Sequence, residues 1–415
     1  MVKLTGNKVE LLAPAGNLEK LKIAVLYGAD AVYCGGHSYG LREGADNFTI
    51  EELEEAVNFA HKHNAQIYLT VNMIPHNENL DGLDRYLHEL EDIGVDALII
   101  SDPGILNILK EEEIKLPVHL STQANAVNWA SVNFWADHGV ERVILARELS
   151  QQEIIEIRKN TDVSLEIFIH GAMCISYSGR CLLSNYMVNR DANRGQCAHS
   201  CRWKYHLMEE KRPGEYYPIY EDENGTYIMN SKDLCLIEYI DKIMETEVDS
   251  LKIEGRMKSL HYVATVTSVY RKALDAYYSN PDKFDFEKQW LEELKKVSHR
   301  NYTTGFFVSA PAADAHNYGT SAYQRNYDFM GIVREYIAES REAVVEVRNK
   351  FFKGDRLEIM GPDMERFELD LKYIINSKGE KVEEAPHPKE LIRIPVNKNI
   401  KPYYIIRRKQ ENSNV

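Results

Sequence analysis

Residues 66–101 read QIYLTVNMIPHNENLDGLDRYLHELEDIGVDALIIS, two short apolar runs joined by a segment with helical periodicity. The same alternation continues on both sides of this stretch, with apolar runs at spacings of roughly 25–35 residues. Eight such runs are found at residues 10–15, 31–34, 66–72, 97–101, 118–123, 142–148, 165–171 and 250–255. Apolar strands that alternate with helices predict parallel βα units, and eight units predict a TIM-type (β/α)8 barrel, an α/β fold.

Helices are predicted between these strands and after the last one. Their predicted ranges are 18–27, 49–64, 80–94, 151–160 and 259–279. Thr49 followed by Glu52 has the pattern of a capping box. The sequence therefore gives independent signals for the strands and for the helices that separate them.

The composition is that of a folded globular protein. The chain has 415 residues, 44% of them hydrophobic and 27% charged, and a net charge of −14. That charge argues against nonspecific nucleic-acid binding, which needs clustered cations. No apolar run reaches the roughly 18 residues of a membrane span. Residues 1–16 have no signal-peptide pattern, so we expect a cytoplasmic protein without a membrane partner.

The chain divides into three predicted regions. Residues 1–280 form the barrel, including a long insertion at 172–248 between its seventh and eighth strands. Residues 281–325 are predicted as a helical and irregular linker. Residues 326–415 alternate with a period of two, which predicts a small antiparallel β domain resembling a barrel. Long insertions at the functional end of a barrel are commonly part of the function.

Polar residues come directly after several of the predicted strands. In a TIM barrel, catalytic groups gather at this carboxyl end of the strands. His170 ends the seventh strand, and Glu254 and Arg256 end the eighth. We predict these three as catalytic residues, for proton handling and anion binding. Arg147 and Glu148 are further candidates at the sixth strand. Other polar strand ends are at residues 34–36, 72, 101 and 121–123.

Cysteines are concentrated in the insertion. Five of the six cysteines are Cys174, Cys181, Cys197, Cys201 and Cys235, and only Cys34 lies apart. In a reducing compartment such a group favours metal binding or catalysis over disulfides. Four thiolates from separate loops suit a 4Fe–4S cluster, while zinc and buried unliganded cysteines remain alternatives.

Two segments are basic despite the acidic total. Residues 172–212 carry a local charge of +4, and their cations are Arg180, Arg190, Arg194, Arg202, Lys204, Lys211 and Arg212. The tail from residue 391 carries +5, and its cations are Arg393, Lys398, Lys401, Arg407, Arg408 and Lys409. The first segment is predicted to bind an RNA backbone. For the tail, RNA binding and a solvated charged face are equally compatible with the sequence.

Residues 166–184, EIFIHGAMCISYSGRCLLS, resemble the signature of peptidase family U32, the collagenase-like peptidases. Further segments carry the resemblance: ELLAPAGN (10–17), RGQCAHSCRW (194–203), SKDLC (231–235) and DSLKIEGRMKS (249–259). The length and the appended β domain are most similar to the branch of tRNA hydroxylation proteins. Members of that branch form 5-hydroxyuridine at the wobble position of tRNA.

The resemblance implies a hydroxylation that does not use molecular oxygen and depends on a 4Fe–4S cluster. It implies Cys174, Cys181, Cys197 and Cys235 as ligands, with Cys201 as a substitute for one of them. It also implies tRNA as partner and a small-molecule oxygen donor, with prephenate as a required metabolite. A shorter paralogue or a second copy of the chain is a further partner expected by analogy.

Proteolysis is the alternative function, because the family is named for it. The sequence has neither H-E-x-x-H nor G-x-S-x-G, although His170 stands near Cys174 as a candidate base. A second alternative is an assembly factor that carries a cluster and has no chemistry of its own.

Overall fold

Parallel strands close into a barrel. The computed structural model describes residues 8–37, 39, 47–173, 181–188, 190, 197–198, 200–202, 220–222, 225–227, 232–308 and 324–410. Within them, eight parallel strands follow one another, and the last pairs with both the first and the seventh. The eight barrel strands are β1 (Glu10–Pro14), β2 (Ala31–Cys34), β3 (Gln66–Val71), β4 (Ala97–Ile100), β5 (Val118–Leu120), β6 (Arg142–Ile144), β7 (Ser164–Ala172) and β11 (Ser250–Ile253). The insertion contributes the short strands β8 (Tyr220–Asp222), β9 (Gly225–Tyr227) and β10 (Asp233–Cys235). The predicted TIM-type barrel is confirmed.

Helices separate the barrel strands as the sequence predicts. The capping box of the second helix is present, since Thr49 Oγ1 accepts from the Glu52 amide at 3.2 Å and the Glu52 carboxylate accepts from the Thr49 amide at 3.0 Å. Among the described residues no helix has the length and apolar character needed to cross a membrane. The helices are α1 (Leu18–Leu26), α2 (Ile50–Lys62), α3 (Leu83–Asp92), α4 (Pro103–Glu111), α5 (Trp129–Asp137), α6 (Gln151–Lys159), α7 (Leu183–Val188), α8 (Ile240–Met244), α9 (Leu260–Ser279) and α10 (Lys288–Leu294).

The inside of the barrel holds charged side chains in pairs. Glu10 on β1 and Arg142 on β6 are on strands that are not neighbours, so their 2.6 Å ion pair crosses the barrel. Lys252 on β11 pairs with Glu166 on β7 at 2.7 Å, and Arg142 also lies 3.5 Å from Glu166. A buried charge that loses its partner is strongly destabilising, so these pairs help to fix which residues face inward.

Two short strands that were not predicted extend the sheet beside β7, one at the end of the insertion and one after α10. β10 pairs antiparallel with the end of β7, and β12 (Tyr302–Thr303) pairs parallel with β10. Asp233 anchors β10, because its Oδ1 accepts from Arg300 Nη2 at 2.6 Å and from Nε at 3.0 Å. This pairing places Cys235 beside His170. Strands of two or three residues are too short to show a period in the sequence.

A second, antiparallel sheet forms the carboxyl-terminal part of the described chain. Its order is β17-β16-β22-β13-β14-β21-β18-β19, and it confirms the predicted antiparallel β domain. The Tyr27 hydroxyl of the barrel lies 3.0 Å from the carbonyl oxygens of both Met360 and Tyr403. The boundaries predicted at residues 280 and 326 stay predictions. The strands after β12 are β13 (Tyr327–Ile337), β14 (Glu342–Val347), β15 (Phe351–Phe352), β16 (Arg356–Met360), β17 (Arg366–Asp370), β18 (Ile374–Ile375), β19 (Lys381–Val382), β20 (Glu384–Ala385), β21 (Leu391–Pro395) and β22 (Ile405–Lys409).

Candidate functional site

A pocket of about 130 Å³ opens where the carboxyl ends of the barrel strands meet. This is the end of a TIM barrel at which active sites are built. The pocket mixes aromatic, cationic and hydrogen-bonding side chains, so it suits a small polar molecule with a flat or apolar part. It is lined by Tyr33, Thr70, Asn72, Ile99, Ser121, Thr122, Gln123, Ile144, Arg147, Phe168, Lys252, Glu254 and Arg256.

Arg256, a predicted catalytic residue, lies buried in the pocket wall. Its Nη1 donates to Thr70 Oγ1 at 3.0 Å, and the Thr70 hydroxyl donates to the Cys34 carbonyl at 3.0 Å. Gly35 provides the space, because a Cβ at that position would lie 2.3 Å from Arg256 Nη1. The glycine after β2 and the arginine after β11 thus form one fixed cationic site. A guanidinium held this way is suited to bind a carboxylate or phosphate.

Glu254 and Arg147 hold the end of β7. The Ala172 amide donates to Glu254 Oε2 at 3.1 Å, and Arg147 Nη1 donates to the Ala172 carbonyl. The Arg147 guanidinium also lies over the Phe168 ring, 4.5 Å from its centroid. Gly171 is needed here, since its φ is +110° and a Cβ would lie 2.6 Å from the Glu254 carbonyl oxygen. Two predicted site residues therefore fix the point at which the insertion leaves the barrel.

His170 is separated from the other two predicted catalytic residues. The pairing of β7 with β11 shifts by one residue after Phe168, which turns His170 away from the pocket. Its side chain is 1% exposed and lies against α9, with Nδ1 3.3 Å from the Tyr270 hydroxyl. Burial lowers the pKa of His170 to about 3, so the imidazole is neutral. The structure thus places His170 away from the pocket that Glu254 and Arg256 line, and its predicted catalytic role stays a prediction.

The described cysteines of the insertion differ in how far they are buried. Cys235 is buried, with Sγ 3.9 Å from the Tyr270 hydroxyl, and burial raises the pKa of its thiol to about 12. Cys181, Cys197 and Cys201 are partly exposed in the insertion. Within the described residues, no three His, Cys, Asp or Glu side chains converge as they would around a metal ion. Cys174 lies outside those residues, so the predicted ligand set stays a prediction.

Part of the insertion nevertheless draws three cysteines into one small substructure. Helix α7 begins two residues after Cys181, and it packs against the turn of residues 200–202 that contains Cys201. The Ala198 amide, next to Cys197, donates to Ser184 Oγ of α7 at 2.9 Å. Thiol donors suit a thiolate-bound cluster, but the described thiols do not converge on one point, so the cluster stays a prediction.

The predicted RNA-binding cations are only partly described. Arg190 follows α7 and is exposed, and Arg202 lies in the turn of residues 200–202. Arg180, Arg194 and Lys204 lie outside the described residues. Their predicted contacts with RNA therefore stay predictions.

Two arginines of the basic tail form ion pairs with carboxylates inside the fold. Arg407 is 0% exposed and pairs with Glu293 and Glu358. Arg408 Nη1 lies 2.9 Å from Asp355 Oδ2. The charges of these two arginines therefore stabilise contacts within the fold, and RNA binding by the tail stays a prediction.

Lys252 of the pocket and its partner Glu166 were missed because they lie within strands and not at strand ends. Both stand inside otherwise apolar runs. A charged residue at an inward-facing strand position is itself a signal, because burying it requires a partner. From that signal, Lys252 could have been predicted as a functional residue inside the barrel.

The described residues offer little for thiol-based proteolysis. Cys235 and His170 are direct partners in the sheet, yet burial keeps both side chains neutral. A cysteine nucleophile needs an accessible thiolate beside a base that can accept its proton. The predicted pair of His170 with Cys174 involves a residue outside the described part.

Comparisons with known proteins identify the family. The model of peptidase family U32 matches residues 16–317, and that of the peptidase family U32 C-terminal domain matches residues 325–407. The chain is 49% identical over 401 residues to tRNA hydroxylation protein P1 of Bacillus subtilis strain 168, covering 97% of this chain and 95% of that one. It is 41% identical to tRNA hydroxylation protein P of Escherichia coli strain K12, with 96% of each chain covered. It is 35% identical to the 23S rRNA 5-hydroxycytidine C2501 synthase of Escherichia coli strain K12, over 75% of this chain and 47% of that one. Because the first family model spans well over half of its length, this chain belongs to peptidase family U32.

Proposed function

We propose that this chain is an RNA hydroxylase that converts the wobble uridine of tRNA to 5-hydroxyuridine without molecular oxygen. One observation carries the proposal: two relatives matched along nearly their whole length are both named tRNA hydroxylation proteins. A relative named for the hydroxylation of a ribosomal cytidine supports the wider class of reaction. We expect the protein to act in the cytoplasm, on tRNA.

The size of the pocket limits what it receives. A water-sized group needs roughly 10–15 Å³ of such space, so the pocket of about 130 Å³ holds about ten of them. That is one pyrimidine base or one small acid. A base inside folded tRNA must leave its stack to reach such a site. We propose that the pocket and its mouth receive the base together with a small-molecule oxygen donor, for which prephenate is the candidate.

Residues of the chain itself bind the donor and the tRNA and orient them at the pocket. Arg256, fixed between Thr70 and Gly35, binds an anionic group of the donor or substrate. Glu254 and Arg147 hold the end of β7, from which the insertion continues. Arg190 and its neighbours in the insertion contact the tRNA backbone, which positions the nucleotide without reading its sequence.

The proposal includes a 4Fe–4S cluster in the insertion. Cys174, Cys181, Cys197 and Cys235 would hold it, with Cys201 as a substitute for one of them. The support is the thiol chemistry of these side chains and the packing of α7 against the turn that contains Cys201. When bound, such a cluster supplies electron transfer, and the hydroxylation of a C–H bond requires the removal of two electrons.

The test is to express the chain in a bacterial strain that lacks its own tRNA hydroxylation proteins. Nucleosides from its tRNA are then analysed by mass spectrometry. We expect 5-hydroxyuridine with the wild-type chain and a strong loss with Arg256→Met. The control is Lys115→Ala, a change remote from the pocket, which keeps the modification. The proposal fails if the wild-type chain is produced and folded but no 5-hydroxyuridine forms.

Peptidase activity remains the second candidate, because the description of the matched family model favours it. It predicts turnover of a casein or gelatin substrate by the purified protein that survives the removal of iron. An assembly factor instead predicts a stable partner protein and no turnover of RNA or peptide by the chain alone.

A further inference from the structure

Lys252 is a buried amine on the floor of the barrel pocket. The residue is 4% exposed, lines the pocket and lies on β11. Its Nζ is 2.7 Å from Glu166 Oε1. The rings of Tyr33 and Phe168 stand on either side, with centroids 4.5 and 5.6 Å from Nζ. The amine therefore has a proton acceptor, aromatic walls and open space in front of it.

The carboxylate beside Lys252 is shared between two cations. Glu166 also lies 3.5 Å from Arg142, which in turn pairs with Glu10 at 2.6 Å. Burial lowers the pKa of the Lys252 ammonium; Glu166 opposes this effect and Arg142 adds to it. A lysine that is desolvated in this way becomes a nucleophile more readily than an exposed one.

The rest of the pocket is suited to an acid. Arg256 and Arg147 line it together with Lys252, so cations outnumber the single carboxylate of Glu254 among the lining residues. Asn72 adds a polar group, since its Oδ1 is buried and has no hydrogen-bond partner among the described residues. A small molecule with a carboxylate and a second polar group matches this arrangement.

We propose that Lys252 captures the carbonyl group of a small oxo acid as an imine. The ammonium passes a proton to Glu166, and the neutral amine adds to the carbonyl carbon to form a C–N bond. The carbonyl oxygen then leaves as water after it has taken up two protons. Overall, the ammonium and the ketone become a protonated imine and water, so charge is conserved and no oxidant or reductant is needed. Arg256 or Arg147 binds the carboxylate.

This activity is separate from the hydroxylation of RNA, and its test uses no RNA. The purified full-length protein is incubated with pyruvate and reduced with sodium borohydride, and each lysine peptide is then analysed by mass spectrometry. We expect a reduced pyruvyl adduct at Lys252 that clearly exceeds the adduct at Lys115. The reason is that Lys252 lines the pocket beside a proton acceptor and two arginines, whereas Lys115 lies on the exposed surface.

Three controls make the result specific. Lactate, which has no carbonyl group, gives no adduct, and Lys252→Met removes the adduct. Arg256→Met lowers trapping of pyruvate more than trapping of hydroxyacetone, which has a ketone but no carboxylate. The wild-type measurement stands even if a variant fails to fold. The inference is overturned if Lys252 carries no adduct, or one no larger than that of Lys115 in the same sample.

Discussion

Replacing Gly35 with alanine is the sharpest test of how the pocket is built. A Cβ at this position would lie 2.3 Å from Nη1 and 3.0 Å from Cζ of Arg256. Ordinary van der Waals contact begins near 3.4 Å, so the guanidinium must move away by about 1 Å. That movement lengthens its 3.0 Å hydrogen bond to Thr70 beyond hydrogen-bonding range.

The expected loss of activity follows from this displacement. An error of about 1 Å in the position of a binding group costs roughly a hundredfold in rate. We therefore expect Gly35→Ala to lower the rate of tRNA hydroxylation roughly a hundredfold. Overpacking itself costs about 1–3 kcal/mol of unfolding free energy, so the variant should still fold.

Gly36→Ala is the matched control, because its Cβ would meet the Tyr86 hydroxyl at 2.0 Å and not Arg256. It introduces the same methyl group at the next position and carries a similar stability cost. The assay is the amount of 5-hydroxyuridine formed over time, with thermal unfolding measured in parallel. The reasoning is refuted if folded Gly35→Ala keeps the wild-type rate, or if both variants lose activity equally.

Three further predictions concern stability, pH and the end of β7. Arg407→Met removes one partner of the buried Glu293, which keeps Arg366 and Lys296, so urea unfolding should show a loss of about 1–3 kcal/mol. Arg356→Met, at an exposed ion pair, should cost much less. Burial lowers the pKa of His261 to about 3, so its contribution to stability is present above its unfolded pKa of 6.5 and is lost as pH falls. The loss is on the order of 1 kcal/mol at pH 5.5, and an unchanged slope in His261→Gln would contradict this. Glu254→Ala should abolish hydroxylation while Glu254→Gln, which still accepts from the β7 amide, keeps part of it, as measured by nucleoside mass spectrometry.

The barrel could be predicted because its strands are buried on both faces. Runs such as QIYLTV and ALII must then be continuously apolar, and they alternate with helices whose caps are also visible in the sequence. Arg256, Glu254 and Arg147 were found for a related reason. The first polar residues after a parallel strand lie at the end of the barrel that opens to the pocket.

The positions of His170, Arg407 and Lys252 depend on contacts that no local pattern records. A single shift in the pairing of β7 with β11 reverses the face on which His170 lies. Arg407 has the sequence context of a basic tail, yet its partner Glu293 is 114 residues away. Lys252 reaches Glu166 only because β11 closes the barrel against β7.

The most direct measurement is the 5-hydroxyuridine content of tRNA in a strain whose only tRNA hydroxylation protein is this chain, grown without oxygen. The account predicts that the wild-type chain restores 5-hydroxyuridine under nitrogen, and that Arg256→Met does not. It is contradicted if the folded wild-type chain gives no 5-hydroxyuridine, or gives it only when oxygen is supplied.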